Sequence, residues 1–304
     1  MANSTGDGNF TSKFSEALSA SAVGIIEFFS ALNIFLAITA SVGNVLIFIA
    51  LHKVTSIHPP TKLFFRCLAV TDLGVGLIVQ PVYVTIIMSP LIKMNVHDVF
   101  YVRRALHNVS WCLCGVSLLT STAISVDRLL ALLLGLRYRH VVTLRRVRLV
   151  IICFWLIGAA GGWTRMWRND IVLKGGSVVM ILSLVTSIFS YTKIHLKLRH
   201  QRFQVQNNVS RERCSGEMHL NIARYKKTVS SILWVQLALL ACYIPWGILA
   251  LLFVIGIENG EAWIAAQTLI YLNSSLNPIL YCWKIREVRQ AVKDIIRQLN
   301  CICQ

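Results

Sequence analysis

Apolar residues run along this chain in long blocks, without the short alternating patterns of soluble domains. Seven windows are free or nearly free of charge: Phe28–Leu51, Leu68–Ile92 (broken by Asp72), Ala105–Val126, Leu149–Thr164, Gly175–Thr192, Thr228–Ile257 and Ala262–Trp283. A helix crosses the hydrocarbon core of a bilayer in about 20 such residues. The Leu149–Thr164 window is short and borrows flanking residues such as Arg165, whose long side chain reaches back to the interface. With their flanks, the spans are expected over about 25–51, 63–90, 100–133, 146–166, 172–199, 224–256 and 261–283. The pattern predicts an all-α membrane protein. A polar tail occupies 1–24, a seven-transmembrane bundle 25–283, and a final segment 284–304. In that segment Ile285, Val288, Val292, Ile295 and Leu299 fall at helical spacing, with Arg286, Arg289, Lys293 and Arg297 between them. This is the pattern of an amphipathic helix lying on the inner leaflet. Cys301 and Cys303 follow it as palmitoylation candidates, the alternative being two free cytosolic thiols.

Composition narrows the class. Of 304 residues 56% are hydrophobic and only 14% charged, and the mean hydropathy is +0.63. Soluble domains carry about a quarter charged residues, so a soluble enzyme and a disordered chain fit poorly. The net charge of +17 would suggest nucleic acid in a soluble protein; here cytosolic loops rich in Lys and Arg explain it, and no nucleic-acid partner is expected. Of the 30 Lys and Arg, 23 fall in 51–66, 128–148, 193–227 and 284–304, all on one side of a seven-span topology. That bias puts the N-terminus outside and the C-terminus in the cytoplasm. The sequons at Asn3 and Asn9 suit an outside tail that is glycosylated. The longest internal loop is expected near 194–224, with turn-like Asn207-Asn208 and Ser215-Gly216.

A charge inside the membrane is costly and marks function by default. Asp72 sits mid-span. Ser117, Asn273, Ser274 and Asn277 are polar residues at similar depth in other spans. Together they offer carboxylate, hydroxyl and amide oxygens to a hard cation; the plain alternative is a hydrogen-bonded structural Asp. Asp127-Arg128 closes the third span, either as an interface anchor or with Arg128 released to a partner. Pro245 and Pro278 break the backbone hydrogen bonding of the sixth and seventh spans and bend them. Asn277-Pro278-Ile279-Leu280-Tyr281 sets an amide beside one bend and a phenol one turn on, a plausible hinge.

In order along the chain stand Gly43-Asn44, Leu68-Ala69-Val70-Thr71-Asp72-Leu73, Asp127-Arg128, Trp155, Cys242-Tyr243-Ile244-Pro245 and Asn277-Pro278-Ile279-Leu280-Tyr281. This set resembles the rhodopsin-like (class A) G protein-coupled receptors, over roughly residues 25–300. The resemblance implies a plasma-membrane receptor that takes an extracellular ligand and activates a heterotrimeric G protein as the sixth span moves outward. It implies an allosteric sodium site at Asp72, Ser117, Asn273 and Asn277, and no other cofactor. It makes Arg128 the residue that meets the G protein, with Tyr191 and Tyr281 rearranging toward it. Departures are visible: Leu129 for the tyrosine after the arginine, Tyr243 for the toggle tryptophan, Ser183 near the usual proline of the fifth span, and Tyr225 where an acid often holds the arginine. Arg103 stands at the usual position of the external cysteine, so the family's external disulfide cannot form. These features are similar to the branch holding melanocortin, cannabinoid, lysophospholipid and adenosine receptors.

The resemblance also places a ligand pocket at Arg103, His107, Ser110, Trp246, Gln267 and Tyr271. Ser110 replaces the acid that binds amines, Tyr271 the lysine that binds retinal, and Ala250 the asparagine that binds adenosine. The outer surface is basic and aromatic, with Lys93, Arg103, Arg104, His107, Arg165, Arg168 and Lys174 among Trp163, Trp167 and Trp263. Headgroup anchoring is the plainer account of this surface; the alternative is an acidic or lipid ligand read by Arg103 and Arg104. An ion or solute transporter with a polar core at Asp72 is the competing class, though no inverted repeat or paired broken helices support it. An intramembrane enzyme lacks HExxH, GxSxG or a second intramembrane acid.

Overall fold

A computed structural model of the chain describes residues 5–165, 167, 169–209, 237–253, 256–257 and 260–302. Asn3, Arg168, Tyr225 and Cys303 lie outside the described residues, and for Asn9 and Cys301 the backbone alone is described. Among the described residues eight long helices and no strands are present. They are α1 (Thr5–Lys53), α2 (Pro59–Met88), α3 (Val96–Leu134), α4 (Leu144–Arg165), α5 (Asn169–Val209), α6 (Leu237–Phe253), α7 (Gly260–Lys284) and α8 (Arg286–Ile302). Five of the helices, α1 to α5, are long and apolar enough to cross a membrane, and α6 is a shorter apolar helix. The 25 residues of α7 are of spanning length, but Gln267, Asn273, Ser274, Ser275 and Asn277 dilute its hydropathy.

Local chemistry sets the helix ends. Pro59 and Pro60 occupy the first turn of α2, where a missing N–H costs nothing. The Asn95 side chain caps α3 by accepting from the His97 amide at 3.0 Å. Gly135 ends α3 at φ +53°, a conformation that favours glycine. A π-turn, Val75–Val79, interrupts α2, and a one-turn helix, Tyr138–Val141, precedes α4.

Burial is inverted relative to a soluble bundle. On α1, Ser30, Asn33, Ala37, Ala40, Asn44, Ile47 and Leu51 are buried at helical spacing, while Phe28, Phe35, Ile38, Val42, Val45 and Ile49 are exposed. Polar groups turn inward because lipid offers them no hydrogen-bond partner. Asn33 accordingly donates to Thr268 Oγ1 at 3.0 Å, and Asn44 to the Ser274 carbonyl at 3.1 Å. Both bonds tie α1 to α7. Gly43 sits where a Cβ would lie 2.9 Å from the Pro278 ring, so the bend of α7 rests directly on the α1 backbone.

Three features differ from the sequence reading. The helix of α1 begins at Thr5, inside the segment read as a tail. The helix of α5 continues through Asn207-Asn208 to Val209; its 41 residues at about 1.5 Å each reach about 60 Å, twice the hydrocarbon thickness. The apolar stripe of α8 is spoken for: Val288, Val292 and Ile295 are buried in one cluster with Ile47, Leu51, Phe65 and Tyr281. Those three residues pack on protein, a contact that the sequence pattern alone does not show.

Candidate functional site

Three constructions stand out. In the middle of the bundle Asp72 is fully buried. Its Oδ1 accepts from Ser117 Oγ at 3.1 Å, and its Oδ2 from Asn277 Nδ2 at 2.7 Å. The carboxylate thus joins α2, α3 and α7. Asn273 lies one turn before Asn277 on α7, buried, with its Nδ2 unpartnered. The donor set here is a single carboxylate with hydroxyl and amide groups. A low-charge oxygen set of that kind fits a monovalent hard cation. Among the described residues no group of three or more His, Cys, Asp or Glu gathers as a metal site.

The second construction lies at the α8 end of the bundle. Asp127 is 3% exposed. Its Oδ1 accepts from the Tyr138 hydroxyl at 2.6 Å and its Oδ2 from Thr61 Oγ1 at 2.9 Å. Arg128 folds back onto it, with Nε 3.1 Å from Oδ2 and Nη2 bonded to both Oδ2 and Thr61 Oγ1. The Arg128 side chain is 22% exposed, so protein holds it without enclosing it. Neither Tyr191 nor Tyr281 is among its partners. Tyr191 packs beside His195. Tyr281 is buried edge-on to Phe65, ring centres 5.0 Å apart, with its hydroxyl unpartnered.

His58, in the turn before α2, packs its ring 5.2 Å from that of Tyr138, and its Nδ1 is buried without a partner. Burial pushes its imidazole below the usual histidine range; Asp127 opposes this, while Arg139 and Arg128 reinforce it. The neutral form is therefore favoured in the folded state. That contribution to stability is complete above the ordinary value of about 6.5 and is lost as pH falls from there through the lowered one. Thermal unfolding followed from pH 8 to pH 5 should show Tm falling over the acid half, with a shallower slope in His58→Gln. An equal slope in both proteins would count against this role.

The third construction is a cavity of about 580 Å³ among α3, α4, α5, α6 and α7. Of the residues expected around a ligand, His107, Ser110, Trp246 and Gln267 line it. Tyr271 lies behind Ser110, hydroxyl to hydroxyl at 3.2 Å, and stacks edge-on to Tyr83. Arg103 stands exposed on the first turns of α3, outside the cavity wall. Tyr243 donates to the Cys114 carbonyl at 3.2 Å, which joins α6 to α3; Trp246 lies one turn on, and both residues line the cavity. The proline of α6, Pro245, lies within its helix.

Sequence reasoning passed over several participants. Thr61 and Tyr138 hold Asp127, and Trp111 and Met180 shape the cavity, together with Arg165 of the outer basic set. The paired glycines at 161–162 and 175–176 were the visible signal, since close approach of helices needs small residues. The cysteines described, Cys67, Cys112, Cys114, Cys153, Cys242 and Cys282, are all free.

Comparison with known proteins follows the same lines. The sequence profile described as "7 transmembrane receptor (rhodopsin family)" matches residues 43–167 and 161–281. The chain is 26% identical to adenosine receptor A3 of Ovis aries, over 87% of this chain and 88% of that protein. It is 24% identical to adenosine receptor A2a of Homo sapiens, over 86% and 70% respectively. It is also 24% identical to melanocortin receptor 5 of Mus musculus, over 86% and 82%.

Proposed function

This chain belongs to the rhodopsin family of seven-transmembrane receptors, and on that footing we propose that it binds an extracellular ligand in the α3–α7 cavity and activates a heterotrimeric G protein. As a member of that family it is a multi-pass membrane protein and a receptor, not an enzyme. The finer reading places it in the plasma membrane with the N-terminus outside, in keeping with the bias of Lys and Arg toward the α8 end.

The observation that carries the coupling reading is the state of Arg128. It is clamped to Asp127 and Thr61 by protein yet partly open to the cytosolic side. A cation so placed can exchange one partner for another, and a ligand that prefers the exchanged state shifts the population. In that state α6 moves outward at Pro245, and Tyr281 and Tyr191 turn toward Arg128. Tyr281 is suited to such a move because its buried hydroxyl has no partner where it stands. A sodium ion held by Asp72, Ser117, Asn273 and Asn277 would supply a positive charge beside Asp72 and favour the clamped state. The relatives bind adenosine and melanocortins by name. Ala250, buried at 2% exposure, gives a nucleobase no amide, so adenosine is not the proposed ligand.

Guanine-nucleotide exchange on purified heterotrimeric G proteins, in membranes holding the expressed chain, tests the proposal. Exchange above that of mock membranes is the expected result. Ion flux in liposomes lacking G protein, with no exchange, would replace the receptor reading by a transporter.

A further inference from the structure

The cavity among α3 to α7 has a composition that narrows its ligand. Trp111, Met180, Trp246, Phe253 and Trp263 make most of its wall apolar. Among the described lining residues no carboxylate is present, and the one permanent charge is Arg165. Its guanidinium carbon sits 5.1 Å from the centre of the Trp111 ring. An arginine at a helix end normally extends toward water and headgroups; this one folds over an indole that lines the cavity. The expected basic pair, Arg103 and Arg104, stands exposed on α3 and outside the wall.

The cavity wall also reaches the outer face of the bundle at α4 and α5. Ile157 of α4 and Val179 of α5 belong to its wall yet are 55% and 39% exposed. Glycines make the gap between these helices. A Cβ on Gly176 would lie 2.1 Å from the far edge of the Trp111 ring, and one on Gly161 2.9 Å from its Nε1. The indole therefore fills space between α4 and α5 that any side chain would take.

Resting on the receptor reading above, we propose that this cavity takes a single-chain lipid with an anionic head, which enters from the bilayer between α4 and α5. The head pairs with Arg165, whose planar donors match a carboxylate or a phosphate. The chain runs down past Trp111 and Met180 toward Leu118 and Tyr243. An apolar cavity that holds one cation favours an anion over a neutral or cationic head, because a charge away from water needs a counter-charge. An apolar wall whose residues are also exposed on the outer face of α4 and α5 favours a ligand delivered by the membrane over one delivered by water. About 580 Å³ is within the usual range for small-molecule sites.

The test is direct binding to the full-length receptor in phosphatidylcholine nanodiscs, without G protein. The probes share one palmitoyl chain: radiolabelled palmitate, palmitoyl lysophosphatidate and neutral palmitamide. At least one anion should bind about tenfold or more tightly than palmitamide, and its affinity should fall about fourfold per methylene removed. Which anion is tighter separates a carboxylate from a phosphate ligand. Arg165→Gln should erase the preference and bring the anion to the affinity of palmitamide, while Arg165→Lys should retain most of the preference. Equal binding of anion and amide by the wild-type receptor would overturn the proposal, as would a preference surviving Arg165→Gln. The wild-type comparison decides even if Arg165→Gln fails to fold. Exchange activity with no anion preference sinks this inference alone, and anion binding without exchange sinks the coupling reading alone.

Discussion

Replacing Asp127 by alanine should raise ligand-independent nucleotide exchange several-fold and lower stability by roughly 2–4 kcal/mol. Asp127 is buried and accepts from Tyr138, Thr61 and Arg128. Its removal takes the shared acceptor from two buried hydroxyls, which keep each other at 3.1 Å, and hydrogen bonds to a charged group contribute about 1.5–3 kcal/mol each. It also frees Arg128 from the charge that folds it back, so the exchanged state gains population without ligand. Arg128→Ala should do the reverse for signalling: exchange falls to the mock level at any ligand concentration. Its stability cost should be smaller, because the guanidinium is partly exposed and solvent screens the pair. Exchange assays and thermal unfolding on the same preparations separate the two effects. A silent Asp127→Ala receptor that unfolds at the wild-type Tm would show that the clamp does no work.

Asp72→Ala should be the most destabilising single change in the core, at roughly 3 kcal/mol or more. The substitution leaves Asn277 and Ser117 without their acceptor at full burial. It also opens a cavity where α2, α3 and α7 meet. Asp72→Asn isolates the charge from the shape. It retains a carbonyl for one of the two donors and should keep most of the stability. If a sodium ion sits there, wild-type Tm rises with sodium relative to choline at equal ionic strength, and the Asn variant shows no such rise. A sodium response that persists in Asp72→Asn would place the ion elsewhere.

The all-helical membrane architecture was legible because hydrocarbon imposes a crude rule: length and apolarity must match the bilayer. Positions within it were less legible where two rules compete. Asn207-Asn208 reads as a turn, but neighbours already helical extend α5 through it, since propagation is easier than nucleation. The apolar stripe of α8 reads the same whether lipid or protein covers it; contact with α1 and α7 chose protein. At the Asp127 clamp, Asp127 and Arg128 could be singled out by type and neighbourhood. Thr61 and Tyr138 could not, since they reach the acid from a neighbouring helix start and a one-turn helix that no periodicity orients. Arg103 and Arg165 carry the same charge and both flank a span, so sequence alone could not rank them. The fold of Arg165 over Trp111 does so. That geometry depends in turn on Gly161 and Gly176, which leave room for the indole.

The seating of α8 has a consequence for how the chain can be handled. Its apolar residues complete the wall formed by Ile47, Leu51 and Tyr281, and Lys53 Nζ donates to Gln298 Oε1 at 2.7 Å. The last helix is thereby a wedge that fixes the foot of α7 to α1, with Gly43 and Pro278 in direct contact further along. Shortening the chain at Lys284 would strip that foot bare, so a tag or reporter belongs beyond Ile302.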